Sequence, residues 1–183
     1  AGEHNFNEVY FEDVRIPADN LVGEENRGWY QVATALDFER SGVQAYSGGK
    51  RNVERLVSVA KENPSLIAGR EQTRYELADR WLEIEVGFNI AYRIPWMQSQ
   101  GMVPNAEASI SKLYGSELSQ RIAATGIKML GLAGGLDGGS ASAPLGGALA
   151  RSYLGAVSST IAAGTSEVQR NIIAQRGLGL PRG

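Results

Sequence analysis

Between residues 106 and 130, apolar side chains recur every four positions: Ile110, Tyr114, Leu118 and Ile122, with Leu113 beside them. That period places them on one stripe of an α-helix and excludes a strand, whose faces alternate every two residues. A helix of this length must lay its stripe against other helices, and two more tracts offer partners. From about 26 to 61, Val32, Leu36, Val43, Val53, Leu56 and Val59 fit one helical face. From about 71 to 100, Tyr75, Ala78, Leu82, Val86 and Ile90 do the same and are expected to point inward. Asn63-Pro64-Ser65 and residues 101–105 separate the tracts, as breakers do. Pro95 is placed to kink the second. Gly42, Gly48 and Gly49 weaken the first helix or mark close packing. Residues 132–147 read as a glycine-rich loop, 148–160 as a fourth helix, 166–175 as a fifth, and the tail after Gly177 as coil. Long helices joined by short loops pack as antiparallel neighbours, so a mainly all-α bundle is expected.

The front of the chain differs. Val9-Tyr10-Phe11 and Val14-Arg15-Ile16 are β-branched and aromatic, which predicts one or two short strands ended by Pro17. Asp19-Asn20 and Gly23 are turn chemistry. A lone strand is not stable, so its sheet partners are expected outside this chain or in another copy.

Composition narrows the chemistry. The 183 residues, 43% hydrophobic and 21% charged, suit one globular domain. A net charge of −2 gives no reason to expect nucleic acid or an acidic membrane as partner. Without cysteine, disulfides and thiolate metal sites are excluded. His4 is the only histidine, so multi-histidine chemistry is excluded too. No apolar run approaches the roughly 18–20 residues of a membrane span. No basic segment followed by an apolar one opens the chain, so a soluble, cytoplasmic protein is expected.

Two places stand out. Val32, Leu36, Glu39 and Val43 are spaced four, three and four, which puts a carboxylate in an apolar seam. Burial there raises its pKa and makes Glu39 a proton acceptor near neutral pH; the plain alternative is an ion pair with Arg40 or Lys50 at the bundle edge. The second place is Gly164-Thr165-Ser166-Glu167-Val168-Gln169-Arg170-Asn171. Ser166 and Gln169 have the spacing of a capping box. Gly164 permits a sharp turn, so free N–H groups at the helix start can face an anion or a polar ligand edge; an ordinary capped helix explains the same residues. Gly131, Gly134 and Gly135 follow a helix rather than a strand, which argues against a dinucleotide fold.

The stretch from Gly164 to Ala174, closed by Leu178-Gly179-Leu180-Pro181-Arg182, resembles the C-terminal signature of acyl-CoA dehydrogenases. Residues 9–17, Asn20-Leu21-Val22-Gly23-Glu24 and Gly28-Trp29 resemble the same family where its β-domain runs into its C-terminal helical domain. The resemblance covers nearly the whole chain and only the last part of such an enzyme. It implies that residues 1–24 are the end of a β-domain and linker, and 25–183 a helical bundle of the acyl-CoA dehydrogenase C-terminal type, inactive as this part alone.

The same resemblance implies α,β-desaturation of an acyl-CoA with FAD as cofactor, an electron-transfer flavoprotein as partner, and a homotetramer or hetero-oligomer. Most members carry the catalytic Glu immediately before Gly-Thr, where this chain has Ala163. A minority carry it in a Glu-Arg pair on the first helix, which Glu39-Arg40 resembles. Glu39 is then the base, and Arg40 faces the substrate's pantetheine and thioester end. Gly164, Thr165 and Glu167 correspond to FAD-contacting positions. Arg70 stands near the family's arginine for the flavin pyrophosphate of a neighbouring subunit, but no Phe-Gly follows it. Lys128 occupies the place of a glutamine and offers a point charge to a phosphate. Ala163 equally suits a non-catalytic subunit of a hetero-oligomer. A helical interaction module without ligand is the remaining alternative.

Overall fold

The computed structural model describes residues 4, 6–39, 42–67 and 70–182, with backbone alone for 37–39. Six α-helices appear among them: α1 (Gly28–Glu39), α2 (Val43–Glu62), α3 (Glu71–Ser99), α4 (Asn105–Leu130), α5 (Ala148–Ser159) and α6 (Ser166–Ile172). The last continues into a π-helical turn, Ile173–Gly177.

Helices α2, α3 and α4 meet around Tyr46, which is 1% exposed. Its ring lies against Gly87 of α3 and Gly115 of α4, and its hydroxyl donates to the Ser111 carbonyl at 2.8 Å. Val53, Ile84, Ala91, Leu118 and Ile122 complete this cluster. A second cluster joins Leu56, Ala60, Leu77 and Met129 toward the other end of the bundle. Ion pairs run between α3 and α4 as Lys128–Glu76, Arg121–Glu83 and Arg93–Glu107. As one number rises the other falls, so the two helices are antiparallel. α5 and α6 pack on α4, while α1 leaves Trp29, Tyr30 and Val32 exposed.

Several expectations need correction. The tract from 26 to 61 is two helices, the first ending at Glu39 and the second starting at Val43 after Gly42, whose φ of +76° is left-handed. A Cβ at Gly42 would also stand 2.5 Å from Ser111 Oγ, so both backbone and packing call for glycine. The short N-terminal β segment is absent: residues 9–11 and 14–16 form no strand among the described residues and are exposed. They have no backbone to pair with in this chain, and a strand without a partner is not stable.

The inward face of α3 is Leu77, Ile84, Gly87, Ala91, Ile94 and Met97, whereas Tyr75, Leu82 and Val86 are exposed. Gly87 and Ala91 let neighbouring helices approach closely, and hydrophobicity does not reveal that role. On α4, Leu118 and Ile122 are buried as expected, but Ile110 is on the exposed side. The glycine-rich region also holds two 3₁₀ turns, Gly131–Gly135 and Pro144–Gly147. Helix α3 runs through Pro95 to Ser99.

Candidate functional site

Helix α4 gathers the two candidate places onto adjacent residues. Gly42, three residues after Glu39, packs on Ser111, and Lys112 Nζ donates to the Gly164 carbonyl at 2.6 Å. The start of α2 and the turn before α6 therefore meet the same stretch of α4, although they are more than 120 residues apart in sequence. The Glu39 side chain and all of Arg40 lie outside the described residues.

The turn itself is closely held. Ala163 and Gly164 both have positive φ, at +54° and +92°. Gln169, fully buried, donates from Nε2 to the carbonyls of Ala163 (3.1 Å) and Gly164 (3.4 Å). The Ser166 N–H reaches back to the Thr160 carbonyl at 3.0 Å. Thr165, not Ser166, is the N-cap: its Oγ1 accepts from the Val168 N–H at 3.2 Å. The expected capping box is thus not formed: the cap is one residue earlier, its third helical residue is Val168, and Gln169 points into the turn. Glu167 is exposed in the first turn of α6, and its carboxyl is held below the usual range. The main cause is a hydrogen bond from its own backbone N–H, followed by the Thr165 hydroxyl; the charges of Arg170 and Lys112 add to it.

Thr165, Ser166 and Glu167 line a groove of about 600 Å³ whose other wall is Glu117, Gln120, Arg121 and Ala124 of α4. Arg170 closes one side by donating to Glu117 at 2.6 Å. Gln120 Nε2 donates to the Thr160 hydroxyl at 3.1 Å and to the Ala156 carbonyl at 3.3 Å. Ser166 Oγ is buried and has no hydrogen-bond partner in the structure. An orphaned hydroxyl beside a carboxylate and a threonine suits a hydroxyl-rich ligand edge such as a ribose.

Arg70 and Lys128 stand elsewhere. Lys128 pairs with Glu76 at 3.2 Å. Burial opposes the Glu76 charge, but the bond and charge of Lys128, with bonds from Gln72 and Thr125, outweigh it and hold the carboxyl below its usual range. Arg70 is exposed at the start of α3, toward the same end of the bundle. From Lys112 to Lys128 is sixteen residues of α4, or about 24 Å. One copy of the chain therefore does not bring these two cations to the Gly164 turn. Sequence reasoning missed Lys112 and Glu117, and gave Gln169 a capping role in place of its grip on the turn. Gln169 carried a signal, since it belongs to the same octapeptide, whereas Lys112 and Glu117 lie some fifty residues from their partners and carried none.

A model of the acyl-CoA dehydrogenase C-terminal domain matches residues 26–178. Acyl-CoA dehydrogenase FadE26 of Mycobacterium tuberculosis is 34% identical over 182 residues, covering 95% of this chain and 45% of that protein. The chain belongs to the acyl-CoA dehydrogenase family. It spans about half the length of the curated relatives it matches. Two solved family members overlay it closely. The Tcur3481-Tcur3483 steroid ACAD is 28% identical with a TM-score of 0.83, covering 95% of this chain and 45% of that one. The ChsE4-ChsE5 complex from Mycobacterium tuberculosis is 35% identical with a TM-score of 0.74, covering 95% and 45%. Among the described residues no helix is long and apolar enough to cross a membrane.

Proposed function

We propose that this chain is the C-terminal part of an FAD-dependent acyl-CoA dehydrogenase that desaturates the α,β-bond of an acyl-CoA thioester. In this reading residues 1–24 close a β-domain, 25–183 form the bundle, and the whole works in the cytoplasm as a homotetramer or hetero-oligomer. One observation carries it: in a chain of this family, neighbouring residues of α4 hold Gly42, three residues after Glu39, and the Gly164 carbonyl of the Ala163-Gly164-Thr165 turn.

The Glu39 carboxylate takes the α-proton of the thioester. Val32 is exposed and α1 ends at Glu39, so in this reading the bound substrate and cofactor, rather than an apolar seam of the bundle, keep water from the reacting carbons. Arg40 donates to the thioester and pantetheine end with its several N–H groups. Gly164, Thr165 and Glu167 hold the ribose and adenine edges of FAD, and the unpartnered Ser166 hydroxyl is available beside them. Arg70 and Lys128, at the far end of the bundle, serve the pyrophosphate of a flavin held by a neighbouring subunit. Bound flavin supplies a hydride acceptor for the β-hydrogen and is reoxidised by an electron-transfer flavoprotein.

The test is an anaerobic visible spectrum of the intact purified protein across a panel of acyl-CoAs. Bound oxidised flavin bleaches with a matching acyl-CoA. Flavin that stays oxidised with every acyl-CoA refutes the reading. A second reading is favoured by Ala163 and by relatives solved as complexes: a non-catalytic subunit of a hetero-oligomer. Protein that is colourless alone and acquires flavin only with a partner subunit supports it.

A further inference from the structure

The turn between α5 and α6 is closed on itself by short-range bonds. The Ser166 N–H reaches the Thr160 carbonyl, the Val168 N–H reaches Thr165 Oγ1, and Gln169 Nε2 reaches the carbonyls of 163 and 164. The partners in each of these bonds are six residues apart or fewer. Lys112 comes from outside this set. It belongs to α4, fifty-two residues away, and its Nζ donates to the Gly164 carbonyl at 2.6 Å. The local bonds already account for the shape of the turn, so Lys112 supplies something else.

A half-buried ammonium on a long stem is a costly tie for a loop that a neutral amide already grips. Gln169 is that amide, fully buried and bonded to the same Gly164 carbonyl. What Lys112 adds is charge, applied to one peptide. The Gly164–Thr165 peptide is trans, so its N–H points away from its C=O. The ammonium sits at the oxygen, and the Thr165 N–H stands on the opposite side. That N–H has no hydrogen-bond partner among the described residues. A hydrogen bond from an ion is about twice as strong as a neutral one and polarises the group it ends on. The donor at the other end of the peptide is strengthened in turn.

The ligand side of the turn is built to use such a donor. Thr165 and Ser166 line the groove, and the Ser166 hydroxyl is buried there without a partner. Lys112 stands outside that lining, yet its charge reaches it. The Glu167 carboxyl, held low chiefly by its own backbone N–H and the Thr165 hydroxyl, also feels the charges of Arg170 and Lys112.

We propose, on the dehydrogenase reading of this turn as an FAD contact, that Lys112 is a positioning residue for the cofactor. From behind the turn it fixes and polarises the Gly164–Thr165 peptide, so that Thr165 presents a stronger N–H donor to FAD. It acts through that peptide and touches neither cofactor nor substrate.

The experiment uses the intact protein, with any partner subunit it copurifies with, freed of flavin. FAD is titrated back, and its dissociation constant is read from the change in flavin fluorescence. Urea midpoints of the flavin-free proteins are read by far-UV circular dichroism. Lys112→Met keeps the stem but neither donor nor charge. It is expected to weaken FAD binding by roughly 10-fold or more, as loss of a hydrogen bond from an ion does. Lys112→Arg keeps charge and N–H donors and should stay within about 3-fold of wild type. The two flavin-free variants should share a urea midpoint, which separates cofactor positioning from loop anchoring. Lys112→Gln, polar and neutral, takes the place of Lys112→Met if that variant does not fold. Unchanged FAD affinity in the neutral variant overturns the proposal, as does an equal loss in Lys112→Arg. A midpoint that falls in step with affinity, or two neutral variants that do not fold, also overturns it and leaves Lys112 a loop anchor alone. In all of these cases flavin bleaching by an acyl-CoA in wild type leaves the dehydrogenase reading standing. Wild-type protein that takes up no FAD, with or without its partner subunit, overturns both.

Discussion

Gly87→Ala sets two well-defined terms against each other. In the interior of α3, replacing glycine with alanine favours the helix by about 0.8–1 kcal/mol. Against this, a methyl on Gly87 overlaps Tyr46 at Cε1 and Cδ1 and lies 3.0 Å from Cζ, where carbons prefer about 3.5–4.0 Å. The ring has little room to yield. Its hydroxyl is tied to the Ser111 carbonyl at 2.8 Å, and Phe88 and Tyr114 flank it at 6.1 and 6.4 Å between centroids. Forcing an extra carbon into a filled core costs about 1–3 kcal/mol. The upper half of that range applies, because the neighbour is a pinned ring rather than a flexible tip. The net expectation is a loss of about 1–2 kcal/mol. Gly155→Ala is the matched control, with the same helix gain and nothing within 4 Å of the new methyl; it should gain about 0.5–1 kcal/mol. Urea unfolding of each variant, followed by far-UV circular dichroism, measures both. A Gly87→Ala protein as stable as wild type, or more stable, would refute the close packing of α3 on Tyr46.

In the intact enzyme Glu39→Gln is expected to abolish flavin bleaching while flavin content and melting temperature hold; normal turnover would remove Glu39 from the mechanism. Thr165→Ala deletes the acceptor for the Val168 N–H and should cost about 1 kcal/mol in urea unfolding, the usual value of a lost cap. Glu76 has a folded pKa below its ordinary 4.5, so its contribution to stability is complete above that value. It is lost as pH falls through the folded pKa. Glu76→Gln should therefore flatten the acid limb of a stability–pH curve below about 4.5, and an unchanged limb would count against the Lys128–Glu76 pair. Ser166→Ala removes a buried hydroxyl with no partner. It should leave the flavin-free protein as stable or more so while weakening FAD retention on dialysis; equal retention would separate Ser166 from the cofactor.

Helix positions were readable wherever breakers stand beside periodic tracts. The helices observed at Glu71–Ser99 and Asn105–Leu130 differ by one residue at an end from those expected, because Asn63-Pro64 and Gly101 to Pro104 leave little choice. Faces were harder. On α3 the large apolar residues Tyr75, Leu82 and Val86 point outward, and the buried row includes Gly87 and Ala91. Hydrophobicity ranks those rows the wrong way round, since close approach selects for small size. Gly42 stood out as a weak or closely packed point of the first helix, but not as the start of a second one, because its partner Ser111 lies sixty-nine residues away. Of the candidate site, the Gly164 turn was legible as a local motif. Its anchoring by Lys112 was not, because no local pattern encodes a bond across fifty-two residues.

The left-handed alanine at 163 has a consequence for how such sites change over generations. The bonds from Gln169 and Lys112 into that turn end on the main-chain carbonyls of 163 and 164, and none uses the methyl of Ala163. The mould does not depend on that methyl, although the positive φ of residue 163 disfavours β-branched side chains there. If Glu39 is the base, as proposed, a lineage could lose a carboxylate at 163 without recasting the loop, and scaffold and reagent would then be separable in descent.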